Sequence, residues 1–143
     1  PVSAVLTSDE VMGVLHPGQH GSTFGGNPLA CAVAMASLQV LVDESLPENA
    51  AKMGEQFRSG LQEIKSPIVK AVRGMGLLNA IDIAPFGEGK TAYDVCMTMK
   101  SNGLLAKQTH KHTIRFAPPL VINASQIEEA LQIIHYSIAE IAK

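Results

Sequence analysis

The stretch IVKAVRGMGLLNAIDI, residues 68–83, decides how the second half of this chain folds. Aliphatic residues run on both sides of the Gly-x-Gly step Gly74-Met75-Gly76. The stretch therefore reads as strand, turn, strand, with a hairpin between Val72 and Leu77. Downstream, APFGEGK (84–90) reads as a loop, and 91–101 as a helix stopped by Asn102-Gly103. LLAK (104–107) and TIRFA (113–117) read as two short strands separated by QTHKH, the second closed by Pro118-Pro119. Ser125 with Glu128 three residues later forms a capping-box pattern for a last helix. Its apolar stripe is Ile127, Leu131, Ile134, Ile138 and Ile141. The order β-β-α-β-β-α makes a compact α/β sandwich from about residue 46 onward, with a lead-in helix over 47–64 carrying Met53, Phe57, Leu61 and Ile64 on one stripe.

The first 45 residues differ. PVSAVL reads as an apolar β segment entered in its middle, a strand that needs neighbours the next residues do not supply, so a piece of chain upstream is expected. Ser8 can cap a short helix over 9–15, ended by Pro17-Gly18. HGSTFGGNP (20–28) follows. Asn27 suits an N-cap and Pro28 the first helical position, and from Leu29 to about Glu44 the chain is apolar on most faces, as in a mostly buried helix.

The chain has 143 residues, 46% of them hydrophobic and 17% charged, with a net charge of −2; this fits a globular protein and argues against electrostatic nucleic-acid binding. The longest apolar stretch, 29–42, contains Ser37 and Gln39 and is too short for a bilayer span, so no membrane role is indicated. Cys31 and Cys96 lack metal-type spacing and activating basic neighbours, and read as reduced core residues of the cytoplasm or an organelle matrix.

Two places carry chemistry. In the glycine loop, Gly21, Gly25 and Gly26 permit positive φ and close backbone approach. Ser22 and Thr23 add hydroxyls, and a helix N-terminus follows, so the loop suits either a phosphate or a plain turn with an N-cap. It has neither Walker A nor dinucleotide-fold glycine spacing. Arg115, between Ile114 and Phe116, needs a partner for its guanidinium: a substrate carboxylate, a structural acid, or water on an edge strand. Arg73 reads as a surface or substrate-facing cation. His110 and His112 form a His-x-His pair without a third ligand at fitting spacing, so no metal site is expected.

HGSTFGGNPLACAVAMASLQVL, VRGMGLLNAIDI, NGLLAKQTH and IRFAPPLVI, in this order and spacing, closely resemble the C-terminal third of the class III pyridoxal-phosphate aminotransferases. The resemblance covers essentially the whole chain. GLLNAI and GLLAK-x-THxxxIRFAPPLVI are similar to members that act on ornithine, whereas HGSTFGGNPLACA is shared with members that act on acetylornithine. Gln108 stands where a proline is more usual in the ornithine group.

The resemblance implies a fold-type I transferase. Residues 1–45 would be the end of the large pyridoxal-phosphate domain, with the glycine loop and a linking helix, and 46–143 the small C-terminal α/β domain. It implies a homodimer in which Ser22 and Thr23 bind the cofactor phosphate of the partner subunit. Arg115 would bind a substrate carboxylate, and ornithine and 2-oxoglutarate would be the substrates. The lysine to which the family attaches its cofactor, the aspartate at the pyridine nitrogen and a glutamate that holds the arginine would lie upstream. These 143 residues are therefore expected to be inactive alone. An acetylornithine- or 4-aminobutyrate-type enzyme of the same class, or a non-catalytic dimerisation or binding module, is the alternative.

Overall fold

A computed structural model describes residues 2–142; Pro1, where the expected first strand begins, and Lys143 lie outside the described residues. The chain divides into two compact units, Pro1–Glu44 and Ser45–Lys143.

The first unit holds α1 (Asp9–Met12) and α2 (Pro28–Asp43). Residues 2–8 form no strand, contrary to expectation, because a strand exists only through ladder bonds and none of the described residues pairs with this segment. The helix expected over 9–15 stops at Met12, and Ser8 precedes it in extended conformation without a side-chain cap bond. At α2 the expectation holds: Asn27 Oδ1 accepts the Ala30 amide at 2.9 Å and Pro28 opens the helix. Its burial does not follow the expectation. No residue of α2 is buried, and Leu29 and Val42 are 76% and 72% exposed. Cys31 is exposed with them rather than part of a core.

The second unit begins at Ser45, whose left-handed backbone (φ 49°) turns the chain into α3 (Leu46–Gln62). The hairpin β1 (Val69–Met75) and β2 (Leu78–Ile83), α4 (Ala92–Ser101), β3 (Lys107–Thr109), β4 (Thr113–Phe116) and α5 (Ala124–Ile141) follow. The four strands form one antiparallel sheet in the order β1-β2-β4-β3. The tight turn is Gly76-Leu77, with Met75 paired to Leu78, so β1 continues through Gly74 instead of turning there. The third strand starts at Lys107 and not at Leu104: Gly103 and the residues after it bring the chain back from α4, with the Leu104 amide donating to the Met99 carbonyl. The last helix is capped by Asn123 and not by Ser125. Asn123 Oδ1 accepts the Gln126 amide while Gln126 Oε1 accepts the Asn123 amide, and the Ser125 hydroxyl donates to Asn123 Oδ1.

Alternation along the strands sorts the sheet into two faces. Ile81, Ile83, Ile114 and Phe116 point into a core completed by Met53, Phe57 and Leu61 of α3, Val95, Cys96 and Met99 of α4, and Ile127, Ile134 and Ile138 of α5. Phe57 and Phe116 meet edge to face, centroids 5.4 Å apart. Burial pushes the Cys96 thiol up to about 11, as expected of a packing residue. The other face carries Arg73, Ala80, Asp82, Thr113 and Arg115.

Where α3 crosses the hairpin turn the two backbones touch. A Cβ added at Gly54 would overlap the Gly76 carbonyl, and Arg58 Nη1 donates to Gly76 O and to Asn79 Oδ1, both at 2.9 Å. Gly54→Ala is expected to destabilise the protein by about 1–3 kcal/mol, as other overpacked cores are. A denaturation midpoint equal to that of the parent would mean that the helix and turn separate at no cost.

Candidate functional site

In the first unit the glycine loop is exposed, and its two hydroxyls have different fates. Ser22 Oγ accepts the Gly25 amide at 3.1 Å, which shapes the loop. Thr23, one residue on, is exposed, and its hydroxyl has no hydrogen-bond partner among the described residues. Of Gly21, Gly25 and Gly26, Gly26 alone takes positive φ, at 71°. The other two do not use the positive φ expected of them: a Cβ at Gly25 would crowd Ser22 Cβ at 3.1 Å, and Gly21, with open space around it, has no structural explanation. Asn27 ties the loop to the helix by donating to the Phe24 carbonyl at 2.7 Å while accepting from Ala30. The 16-residue α2 has no acidic residue in its first turn, so the positive end of its dipole is not offset from within the helix. A free hydroxyl, a glycine-permitted turn and an unopposed helix terminus are a donor set that fits a phosphate.

In the second unit Arg115 lies on β4, an inner strand, and not on an edge. Ile114 and Phe116 on either side are buried in the core, which fixes the strand and directs Arg115 to the opposite face. Arg115 is exposed and forms no ion pair among the described residues. Register puts Lys107 of β3 directly opposite it on one side and Ala80 of β2 on the other, with Arg73 of β1 opposite Ala80. Three cations thus share one row across four strands. Like charges side by side on a sheet are unfavourable unless an anion compensates them.

A concavity of about 430 Å³ opens on this face, its lining including Arg73, Leu78, Ala80, Thr109, Thr113 and Arg115. His110, left-handed at φ 55°, is at its rim, whereas His112 lines a different concavity beside Lys90 and Thr91. Among the described residues no three His, Cys, Asp or Glu side chains are grouped to hold a metal ion. No single helix among them is long and apolar enough to cross a membrane.

Sequence reasoning had no partner for Arg73. In the structure its guanidinium grips Asp82 with two bonds, Nε to Oδ2 at 3.2 Å and Nη2 to Oδ1 at 2.9 Å, and the Thr113 hydroxyl donates to Asp82 Oδ1 at 2.7 Å. The Arg73 bond, then that of Thr113, hold the Asp82 carboxyl below the usual range against the opposing effect of burial; Arg73 is raised in turn by Asp82. Once the turn is set at Gly76-Leu77, Arg73 faces Ala80 and reaches Asp82 as its diagonal neighbour.

The family model for class III aminotransferases matches residues 1–138. An ornithine aminotransferase from Emericella nidulans is 55% identical over 142 residues, covering 99% of this chain and 31% of the relative. A mitochondrial ornithine aminotransferase from Drosophila melanogaster is 55% identical over 138 residues, covering 96% and 31%. Among solved structures, an acetylornithine aminotransferase from Elizabethkingia anophelis superposes with a TM-score of 0.83 at 52% identity, over 94% of this chain and 36% of that one. The chain spans about a third of the length of the relatives it matches.

Because its folded pKa is lowered, Asp82 adds stability above the unfolded carboxylate value near ~4; that stability is lost as pH falls through the lower folded value. A carboxyl-carbon NMR titration is expected to place the Asp82 midpoint below that of an ordinary aspartate and to move it upward in Arg73→Ala. An ordinary midpoint in the intact protein would rule out the pair in solution.

Proposed function

Since this chain belongs to the class III aminotransferase family, we propose that it is the C-terminal portion of an enzyme that moves the δ-amino group of ornithine to 2-oxoglutarate. In this reading 1–45 is the end of the large cofactor-binding domain and 46–143 the small domain. The observation that carries the reading is Arg115, a cation without an acidic partner among the described residues, held on the open face of a packed sheet within the motif IRFAPP.

Each residue has a separate task. Arg115 binds and orients the α-carboxylate of the substrate through paired N–H donors, which a lysine could not present in the same fork. Thr23 donates its hydroxyl to the phosphate of pyridoxal phosphate bound by a second copy of the chain in a homodimer. Ser22, whose oxygen already accepts the Gly25 amide, holds the loop in shape and adds its own O–H donor. When bound, the cofactor supplies the electron sink for amino transfer. The exposed apolar faces of α2 support the same reading. Leu29, Val33, Met35 and Leu38 are 55–76% exposed, an apolar surface that calls for cover, and the relatives have two thirds of their length outside the matched region.

The names of the curated relatives favour ornithine as amine donor. The likeness to the acetylornithine enzyme keeps that substrate as the second reading, and steady-state rates with the two amines on the full-length protein distinguish them. The Drosophila relative supports a mitochondrial matrix location, with the cytoplasm as the other compartment that fits.

In the full-length protein, Arg115→Ala is expected to slow the half-reaction with 2-oxoglutarate by about 10²-fold, roughly 3 kcal/mol for a lost charge-assisted bidentate contact. Unchanged single-turnover rates with 2-oxoglutarate would remove Arg115 from the substrate site. Thr23→Ala is expected to raise the dissociation constant for pyridoxal phosphate, measured by equilibrium dialysis. Ser22→Ala is expected to act mainly through the loop, with a smaller loss that Ser22→Thr restores. Cofactor affinity unaffected by Thr23→Ala would exclude the phosphate role.

A further inference from the structure

The open sheet face carries two guanidiniums, on Arg73 and Arg115, in the same row with only the methyl group of Ala80 between them. Adjacent strands lie about 4.8 Å apart, so the two arginine backbones are separated by roughly 10 Å, a span that flexible side chains close around a small molecule. A concavity with two free guanidiniums would suit a ligand with two carboxylates. Only one is free. Asp82 occupies Arg73 with both carboxylate oxygens and is itself anchored from β4 by the Thr113 hydroxyl. The anchor joins three strands, β1, β2 and β4, two of them carrying the concavity's arginines. Lys107, the remaining cation of the row, lines a separate concavity with Tyr93 and Lys100 and does not supply a second anchor here.

We propose that Asp82 is a specificity-determining residue of this face: by holding Arg73 it leaves the concavity one guanidinium to offer, that of Arg115, and sets it to take a single carboxylate of its ligand. The inference rests on the reading of Arg115 as a carboxylate anchor. It adds that Arg73 and Asp82 form a neutral pair whose two halves act on bound anions with opposite sign. Neutralising Asp82 releases Arg73 toward the ligand. Removing Arg73 bares the Asp82 carboxylate beside Arg115, where it repels the ligand.

The test uses the full-length holoprotein and two competitive inhibitors measured against 2-oxoglutarate: glutarate, with two carboxylates, and valerate, of the same length with one. Asp82→Asn is expected to tighten glutarate about three- to fivefold, in the range of partly exposed charge interactions, and to raise the preference for glutarate over valerate by a similar factor. Arg73→Ala is expected to weaken both inhibitors. The double variant Asp82→Asn/Arg73→Ala is expected to return to the parent values, and Asp82→Glu to keep them. If Asp82 were only a structural tie, Asp82→Asn and Arg73→Ala would shift affinity in the same direction and the double variant would be no better than either; that pattern overturns the proposal. Arg115→Ala identifies the other failure. If it leaves both inhibitors unaffected, the anchor reading falls and the inference with it. If it weakens both while Asp82→Asn changes nothing, the anchor stands and the role of Asp82 does not.

Discussion

The contact between Gly54 of α3 and the carbonyl of Gly76 at the hairpin turn is the constraint on which the rest of the second unit depends. Any side chain at position 54 would overlap that carbonyl, and Arg58, one turn further along the same helix, ties down Gly76 O and Asn79 Oδ1 together. The side chain of Asn79, 1% exposed, completes the clamp by donating to Gly76 O at 3.1 Å. A hairpin fastened at its turn has no freedom to slip, and a slip of one residue would exchange the two faces of β1 and β2. Ile81 would leave the core, and Ala80 and Asp82 would enter it. Register set at one end of β2 thus decides, through the β2–β4 pairing, that Ala80 stands opposite Arg115 and Asp82 opposite Thr113.

From that register follows the charge pattern of the open face. Burying Ile114 and Phe116 leaves Arg115 no orientation except outward, and the inner position of β4 keeps its backbone bonded on both sides. Its direction is therefore set before any ligand arrives, the condition under which a charge-assisted contact contributes most to binding. The Arg73–Asp82 pair is half exposed and contributes little to stability by itself. Its consequence lies in what it does to the potential over the face. It cancels one cation of the row and leaves the next one uncompensated.

Much of this was legible in the sequence because the signals were local. The β-β-α-β-β-α order, the Asn27-Pro28 start of α2, the Asn102-Gly103 stop of α4 and the stripe of α5 each follow from a few neighbouring residues. Thr91 as the cap of α4 and Ser22 as a loop-shaping hydroxyl are local too, but they emerge only in the structure. What could not be read depended on partners distant in sequence. Asn123 won the cap of α5 over Ser125 because the chain enters that helix two residues early, and Asn49 of α3 donates to the Leu120 and Ile122 carbonyls just before it. The Arg73–Asp82 bridge depends on a turn whose Gly76 carbonyl lies against Gly54, 22 residues upstream. The apolar composition of α2 signalled burial, and among the described residues α2 is exposed instead: burial is a property of two surfaces, and the described residues supply one.

The two candidate sites therefore obtain their precision in different ways. Arg115 belongs to a unit whose three helices and four strands close a core of their own, so its geometry is complete within residues 45–143. Thr23 belongs to a loop tied only to itself and to the start of α2, by Ser22 to Gly25 and by Asn27 to Phe24 and Ala30. Those bonds fix the shape of the loop, while its position in space depends on whatever surface covers the aliphatic faces of α2. Placing a phosphate needs both shape and position, because donors misplaced by an ångström lose most of their effect. In the proposed reading, cover for α2 and retention of the cofactor are then coupled: a change that loosens the packing of Leu29 or Val33 would act on the proposed phosphate site without touching it, whereas the proposed carboxylate site on the sheet is insulated from such a change by its own core.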